Sequence, residues 1–151
     1  MRIAAAQARA PWLDPTAGVA AVVDHLGRAA AEGVSLVAFP ETFLSGYPIW
    51  LSVTGGARFD DPAQKAAYAA YLDAAVTLHG AHLTTVRTAV GDLGVFCYLG
   101  ITERVRGTVY CTLVAIDPDR GVVSAHRKLV PTYEERLVWG AGDGHGLRTH
   151  G

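Results

Sequence analysis

An apolar segment runs into a proline and a carboxylate in Val34-Ser35-Leu36-Val37-Ala38-Phe39-Pro40-Glu41. The apolar run predicts a buried strand, and Pro40 ends it because proline has no backbone N–H to donate. Glu41 then lies just beyond the carboxyl end of the strand, at the edge of an α/β sheet where ligands bind. This position makes Glu41 a candidate general base. A solvated loop glutamate, or one that caps a backbone N–H, is the alternative.

A strand–helix–strand unit is predicted at the start of the chain. Arg2 to Gln7 and Val34 to Phe39 are the strands, and the residues between them place apolar side chains at helical spacing, namely Val19, Val22, Val23, Leu26 and Ala30. Asp14 or Thr16 can cap the start of this helix, and Gly33 can adopt the left-handed conformation that ends it.

The rest of the chain changes from a helical to a β pattern. An alanine-rich segment from Asp61 to about Leu78 predicts a second helix, after a loop over Ser52 to Asp60. β-Branched and aromatic residues then predict three strands joined by turns, over Val95 to Ile101, Val109 to Ile116 and Val122 to His126. Because this meander follows a βαβ unit, we expect an α/β fold whose mixed sheet carries helices on one face.

The composition excludes several classes of protein. The 151 residues carry 13 basic and 14 acidic side chains, a net charge of −1, and 50% of them are apolar. This balance offers no large basic surface for nucleic acid or membranes, and no apolar run approaches the roughly 20 residues that cross a bilayer. Two cysteines make no disulfide framework and there is no asparagine to glycosylate, so we expect a cytoplasmic location.

A second polar segment follows the last predicted strand in His126-Arg127-Lys128-Leu129-Val130-Pro131-Thr132-Tyr133-Glu134-Glu135-Arg136. Lys128 is one of two lysines among 13 basic residues, and its compact ammonium can release a proton, which a guanidinium does not. Lys128 is therefore a functional candidate, although a surface lysine without a role fits the pattern equally well. Glu134 and Glu135 are either a solvated acidic pair or include a carboxylate that orients the lysine.

Two motifs together resemble the nitrilase family of carbon–nitrogen hydrolases. The segment Phe39-Pro40-Glu41-Thr42-Phe43-Leu44-Ser45-Gly46-Tyr47-Pro48 is similar to the family's first catalytic motif. The second polar segment, continuing as Leu137-Val138-Trp139-Gly140-Ala141-Gly142-Asp143-Gly144, is similar to the lysine motif and looks most like nitrile-hydrolysing members. Arg2 to Gln7 and Leu99 to Arg104 resemble strands of the family, so the resemblance covers essentially the whole chain.

The resemblance implies an αββα sandwich, of which this chain is the N-terminal part. Residues 1–151 would form a single carbon–nitrogen hydrolase domain that is incomplete at its C-terminus. The family resemblance further implies a homo-oligomer that acts on a small molecule, with no cofactor and no metal.

The resemblance also implies roles for individual residues. Glu41 would be the general base, Lys128 the cation that stabilises the tetrahedral intermediate, and Glu135 the second glutamate, with Glu134 as the adjacent alternative. The cysteine nucleophile of the family lies beyond the lysine motif, past the end of this chain. Cys97 and Cys111 are instead predicted to be small buried residues on strands. Tyr47 and Trp50 are predicted either to line the substrate pocket or to make core or subunit contacts.

The activity implied is conversion of a nitrile to a carboxylic acid and ammonia through a cysteine thioimidate. Hydrolysis of an amide or an N-carbamoyl compound uses the same residues and is the first alternative. A catalytically inactive fragment that acts only as an interaction module is the second.

Overall fold

The computed structural model of the protein describes residues 1–150. It contains five strands, β1 to β5 in chain order, at Ile3–Ala5, Leu36–Ala38, Phe96–Val105, Thr108–Asp117 and Gly121–Arg127. Four α-helices, α1 to α4, span Pro15–Ala31, Trp50–Thr54, Pro62–Ala74 and Ala81–Leu93, and a short 3₁₀ helix spans Tyr133–Leu137. None of the helices in this part of the chain is long and apolar enough to cross a membrane.

The five strands form one mixed sheet in the order β1-β2-β3-β4-β5. The first three strands are parallel, and Val37 at the centre of β2 pairs with Ala4 on one side and Cys97 on the other. The β3, β4 and β5 strands are antiparallel neighbours. The predicted βαβ unit followed by a meander is therefore confirmed.

Helices α1 and α4 pack together on one face of this sheet. Their buried side chains, such as Leu26 and Val86, share a hydrophobic core with Leu99 of β3 and with Val114 and Ile116 of β4. Because alternate residues of a strand point to opposite faces, Cys111 and Leu113 of β4 lie on the face away from these helices. The α/β fold with helices on one face of a mixed sheet agrees with the prediction.

The structure corrects two boundaries. The predicted second helix ends at Ala74 and not near Leu78, because Val76 N donates to Thr102 O at 2.9 Å and joins the chain to β3. The predicted loop over Ser52 to Asp60 begins with the last three residues of α2. This short helix is fixed by burial of Trp50 and Leu51 rather than by helical periodicity.

Helix α4 was missing from the sequence prediction. Its residues include histidine, glycine and three threonines, which have low helix propensity, so the segment lacks a strong local signal. Leu83, Val86 and Val90 nevertheless lie at helical spacing and are fully buried in the core. Tertiary packing of this stripe, rather than propensity, accounts for the helix.

Candidate active site

Glu41 is held where the chain leaves β2 and crosses over β3. Leu44 N donates to Gly100 O at 3.2 Å, which ties the segment after Glu41 to that strand. A β-carbon on Gly100 would lie only 2.8 Å from the Cα atom of Glu41 and 2.1 Å from Pro40 O. Position 100 therefore requires glycine to let the Glu41 backbone approach the sheet.

Lys128 follows β5 and is fixed by backbone hydrogen bonds on both sides. Its N–H donates to Cys111 O at 2.8 Å, and its carbonyl accepts a hydrogen bond from Gly142 N at 2.9 Å. A β-carbon on Gly142 would lie 2.3 Å from Arg127 O. The glycine thus allows the segment after the 3₁₀ helix to lie directly against the backbone that carries the lysine.

A buried ion pair anchors the residue immediately before Lys128. The Arg127 guanidinium donates through Nε and Nη2 to the two carboxylate oxygens of Glu103, at 2.8 and 2.7 Å. Thr112 Oγ1 donates to the same carboxylate at 2.8 Å, and the guanidinium carbon lies 4.3 Å from the centre of the Tyr110 ring. Bidentate arginine pairs are directional, so this contact restricts the chain next to Lys128.

Glu135 is positioned by the 3₁₀ helix. Thr132 and Glu135 form a capping box, in which Thr132 N donates to Glu135 Oε2 at 2.6 Å. Tyr47 Oη donates to Glu135 Oε1 at 3.0 Å. The neighbouring Glu134 faces another way and accepts a hydrogen bond from Ser52 Oγ at 2.5 Å. Of the two adjacent glutamates, Glu135 is the one in contact with Lys128.

The three predicted catalytic side chains converge at the Lys128 ammonium. Lys128 Nζ lies 3.0 Å from Glu41 Oε1 and 2.8 Å from Glu135 Oε2. The ammonium also lies 5.5 Å from the centre of the Trp139 ring, within the range of a cation–π contact. Side chains 87 residues apart in sequence, Glu41 and Lys128, are thereby brought into hydrogen-bond contact.

Hydrogen bonds among the side chains of this site stabilise the charged forms of Lys128 and Glu135. Burial alone would lower the pKa of Lys128, but hydrogen bonds to Glu135 and Glu41 outweigh burial and raise it above the usual lysine value. Burial opposes ionisation of Glu135, yet hydrogen bonds from Lys128, Thr132 N and Tyr47 lower its pKa below 4.5. Burial and the hydrogen bond to Glu135 raise the pKa of Tyr47 to about 12. Near neutral pH the lysine is a cation, Glu135 is an anion and Tyr47 is a neutral donor.

A cavity of about 460 Å³ opens beside Glu41 and Lys128. Its apolar lining includes Leu113 and Leu129, and the complete set of lining residues is Glu41, Gly100, Cys111, Thr112, Leu113, His126, Lys128 and Leu129. A small apolar molecule bound here would lie against both the carboxylate and the ammonium. No cluster of three or more metal-ligating side chains occurs within residues 1–150.

The two cysteines differ in their surroundings. Cys97 is buried in the core shared with α1 and α4, as the sequence predicts. Cys111 is also buried on its strand, but its thiol donates to Glu41 Oε1 at 3.3 Å and lines the cavity. The interpretation of Cys111 as a mere packing residue is therefore incomplete.

The contact of Cys111 with the site has a weak signal in the sequence. The turn between β4 and β5 pairs Asp117 with Gly121, and counting outward from that pair places residue 111 opposite residue 127. A register shift at Ala115 and Ile116 moves the pairing by one, which brings Cys111 alongside Lys128. Counting residues from the turn between β4 and β5 therefore predicts that Cys111 lies near Lys128, but it does not predict the register shift that pairs the two residues.

Tyr47 and Trp50 lie in different places. Tyr47 belongs to the site, since its hydroxyl contacts Glu135 and its ring meets Trp139 edge to face at 5.5 Å. Trp50 packs on Tyr71, with ring centres 5.0 Å apart, in a second hydrophobic cluster. Trp50 does not line the cavity beside Glu41 and has the surroundings of a core contact.

The fold and the site together define a hydrolase family. A carboxylate, an ammonium and a second carboxylate meet at one edge of a mixed α/β sheet, and the sequence profile of the carbon–nitrogen hydrolase family matches residues 2–149. The chain belongs to the nitrilase family of carbon–nitrogen hydrolases, as its motifs predict.

Individual relatives give the same family. The chain is 43% identical over 117 residues to a nitrilase of Bradyrhizobium diazoefficiens, a match that covers 78% of this chain and 36% of the relative. It is 35% identical over 148 residues to a nitrilase of Penicillium rubens, covering 98% and 44%. An aliphatic nitrilase of Sinorhizobium fredii is 36% identical over 150 residues, covering 98% and 48%. The chain spans less than half the length of these relatives.

Solved structures share the fold at lower identity. An amidase from Nesterenkonia sp. superposes with a TM-score of 0.68 at 23% identity, covering 95% of this chain and 48% of the amidase. A carbon–nitrogen hydrolase superfamily protein from Xanthomonas campestris gives 0.67 at 22% identity, covering 91% and 44%. These likenesses confirm the α/β nitrilase-like fold.

Proposed function

We propose that the protein carrying this chain hydrolyses a nitrile to a carboxylic acid and ammonia. Residues 1–151 form the N-terminal portion of its single catalytic domain, and the cysteine nucleophile lies beyond Gly151. The observation that carries the proposal is the contact of Lys128 Nζ with both Glu41 and Glu135 beside an apolar cavity. Relatives named nitrilase, at 35 to 43% identity, favour a nitrile over other carbon–nitrogen compounds.

The first chemical step makes a carbon–sulfur bond. Glu41 takes the proton of the nucleophilic thiol, and the thiolate adds to the nitrile carbon. The nitrile nitrogen gains the electron pair of the broken π bond and takes the proton from Glu41, which gives a thioimidate and restores the Glu41 carboxylate. Lys128 stabilises the negative charge that develops on nitrogen, since a fixed cation in a partly buried site is effective there.

Water completes the reaction in two additions. Glu41 deprotonates the first water, which adds to the thioimidate carbon, and the tetrahedral intermediate expels ammonia to leave a thioester. A second water adds to the thioester and releases the carboxylic acid and the thiol. The balance is one nitrile and two waters to one acid and one ammonia.

Glu135 has a positioning role in this scheme. Its carboxylate contacts Lys128 but does not line the cavity, and it is itself held by Tyr47 and Thr132 N. This arrangement keeps the ammonium charged and directed toward Glu41. Tyr47 therefore acts through Glu135. Trp50 packs against Tyr71 and does not line the cavity where the substrate would bind.

The test is ammonia release by the full-length protein from aliphatic, aromatic and arylaceto nitriles and from the matching amides. We expect nitriles to be hydrolysed, and Glu41→Gln to lower kcat at least 100-fold because general-base catalysis contributes about that much. Glu134→Gln is the matched control and keeps its activity. Faster turnover of amides than of nitriles would instead support the amidase or N-carbamoyl alternative.

An interaction module is the remaining alternative. It predicts that the full-length protein releases no ammonia from either substrate class while still assembling with its partner subunits.

We further propose a homo-oligomer, since Val53 and Phe59 are apolar and exposed. Light scattering of the full-length protein tests that assembly. A cytoplasmic location suits the two free thiols, and fractionation of cells tests it.

A further inference from the structure

Cys111 occupies a place in the site that the proposed mechanism does not use. Its thiol lies 3.3 Å from Glu41 Oε1, within the reach of a sulfur hydrogen bond. The register fixes this contact, because Cys111 pairs with Thr102 on β3, two residues from the Gly100 over which Glu41 is laid. The thiol on β4 therefore faces the carboxylate of the segment that passes over the neighbouring strand β3.

The hydrogen bonds to Glu41 fall on one oxygen only. Oε1 accepts from Cys111 Sγ and from Lys128 Nζ, the latter at 3.0 Å. Within residues 1–150 nothing donates to Oε2, and the Glu41 side chain is 43% exposed. Two donors on Oε1 restrict the rotation of the carboxylate and leave Oε2 as the oxygen without a donor from the described residues, on a side chain that lines the cavity.

We propose that Cys111 is a positioning residue for Glu41, holding Oε1 so that Oε2 is the oxygen that receives the proton of the nucleophile. This inference rests on the proposed function. The thiol suits the task because it remains protonated. Burial, followed by the charge and hydrogen bond of Glu41, raises the pKa of Cys111 far above that of a free thiol, although Lys128 opposes the shift. Glu135 adds a further negative charge to its surroundings.

The same arrangement argues against Cys111 as the nucleophile. A nucleophilic cysteine needs its thiolate, and the surroundings of Cys111 disfavour the thiolate. Cys97 provides the natural comparison, since it is also a buried strand cysteine but lies in the apolar core and forms no hydrogen bond within the described residues. Burial raises the pKa of Cys97 to about 12, without a contribution from Glu41.

The experiment compares Cys111→Ala, Cys111→Ser and Cys97→Ala in the full-length protein. We expect Cys111→Ala to lower kcat about fivefold with little change in KM, the loss that one net hydrogen bond gives. Serine keeps a donor and restores most of kcat, and Cys97→Ala matches the wild type.

Two kinetic outcomes overturn the proposal. If serine and alanine at position 111 both abolish turnover, Cys111 is the nucleophile, because a serine hydroxyl donates a hydrogen bond but does not replace a catalytic thiol. If Cys111→Ala keeps the wild-type kcat and KM, the thiol has no effect on Glu41.

A second measurement is independent of turnover. The S–H stretching band of Cys111 is isolated as the infrared difference between wild type and Cys111→Ala. Glu41→Ala moves this band to higher frequency, since the thiol loses its acceptor, and leaves the Cys97 band in place. An unmoved Cys111 band overturns the inference. A wild-type protein that hydrolyses neither nitriles nor amides but shows the band shift refutes only the proposed function.

Discussion

The backbone of Glu41 crosses β3 directly over Gly100, so closely that a β-carbon on Gly100 would lie 2.8 Å from the Glu41 Cα atom. This close approach places the carboxylate within reach of Lys128, which arrives from β5 on the far side of β4. A residue with no catalytic group thus determines where the candidate base lies.

Replacing Gly100 by alanine should displace Glu41. The new methyl group meets backbone atoms, which cannot rotate away, so we expect a loss of about 1–3 kcal/mol in the free energy of unfolding. The displaced carboxylate should also cost at least tenfold in kcat, because small misplacements of a catalytic group have large effects. Urea unfolding and ammonia release from the full-length protein measure both.

Gly27→Ala is the control for this substitution. Gly27 lies within α1, and a β-carbon there meets nothing within 4 Å. Alanine should therefore stabilise the helix by about 0.5–1 kcal/mol and leave kcat unchanged. Wild-type activity in Gly100→Ala would show that the segment over β3 moves without carrying Glu41 with it.

The Lys128–Glu135 pair should make stability depend on pH in a predictable direction. The pKa of Glu135 is lowered below 4.5 in the folded protein, so its contribution is complete above about pH 4.5 and disappears as the pH falls through the lowered value. The pKa of Lys128 is raised above 10.5, so its contribution is complete below that pH and is lost only in more alkaline solution.

Glu135→Gln tests this dependence in the full-length protein. At pH 7 we expect the variant to be less stable by about 1–3 kcal/mol, the range for a hydrogen bond to a charged group. The difference should shrink between pH 5 and pH 3, as followed by urea unfolding. Glu134→Gln, whose side chain contacts Ser52 instead, should show no such convergence. Parallel stability curves for wild type and Glu135→Gln would contradict the assignment.

The buried pair beneath Lys128 should respond asymmetrically to mutation. The Glu103 side chain is 2% exposed, whereas that of Arg127 is 27% exposed. Arg127→Met leaves a buried carboxylate without its cation and should cost about 3–5 kcal/mol. Glu103→Gln leaves a guanidinium that reaches water and still faces Tyr110, so about 1–3 kcal/mol is expected.

Urea unfolding of the two single variants and the double variant measures this asymmetry. The double variant should be more stable than Arg127→Met alone, because no unpaired charge then remains in the interior. Equal losses from the two single substitutions would mean that Glu103 reaches solvent when its partner is removed.

The sequence predicts those parts of this fold that depend on local chemistry. The apolar run from Val34 to Phe39 followed by Pro40 is sufficient to place Glu41 beyond a strand, and the same reasoning places Lys128 after β5. The arrangement of parallel and antiparallel strands then brings Glu41 and Lys128 to the same end of the sheet. Local chemistry does not predict helix α4, because its threonines weaken the helical signal and contact with the core stabilises the helix.

The contacts made across the sheet are not predictable in this way. The pairing of Cys111 with Lys128 depends on the register shift at Ala115 and Ile116, since without that shift Arg127 would lie opposite Cys111. The choice between Glu134 and Glu135 depends on the capping box of a short 3₁₀ helix. In both cases a shift of one residue along the chain would change which side chain makes the contact. Apolar periodicity does not determine such a shift.

Gly142 provides the last test, because it contacts the backbone of Lys128, whereas Glu41 contacts the Lys128 ammonium. Its N–H donates to Lys128 O at 2.9 Å, and a β-carbon would lie 2.3 Å from Arg127 O and 2.9 Å from Lys128 O. Alanine should push this segment off β5 and break the hydrogen bond, which lowers kcat at least tenfold while KM changes less.

Gly107→Ala is the matched substitution for Gly142→Ala, since it lies in the turn between β3 and β4 with open space around it. Steady-state ammonia release from the full-length protein compares the two variants, and we expect Gly107→Ala to keep the wild-type kcat. Because Glu103 still holds Arg127 in Gly142→Ala, the stability loss should stay near 1–3 kcal/mol. An unchanged kcat in Gly142→Ala would mean that the Glu103–Arg127 pair alone is sufficient to position Lys128.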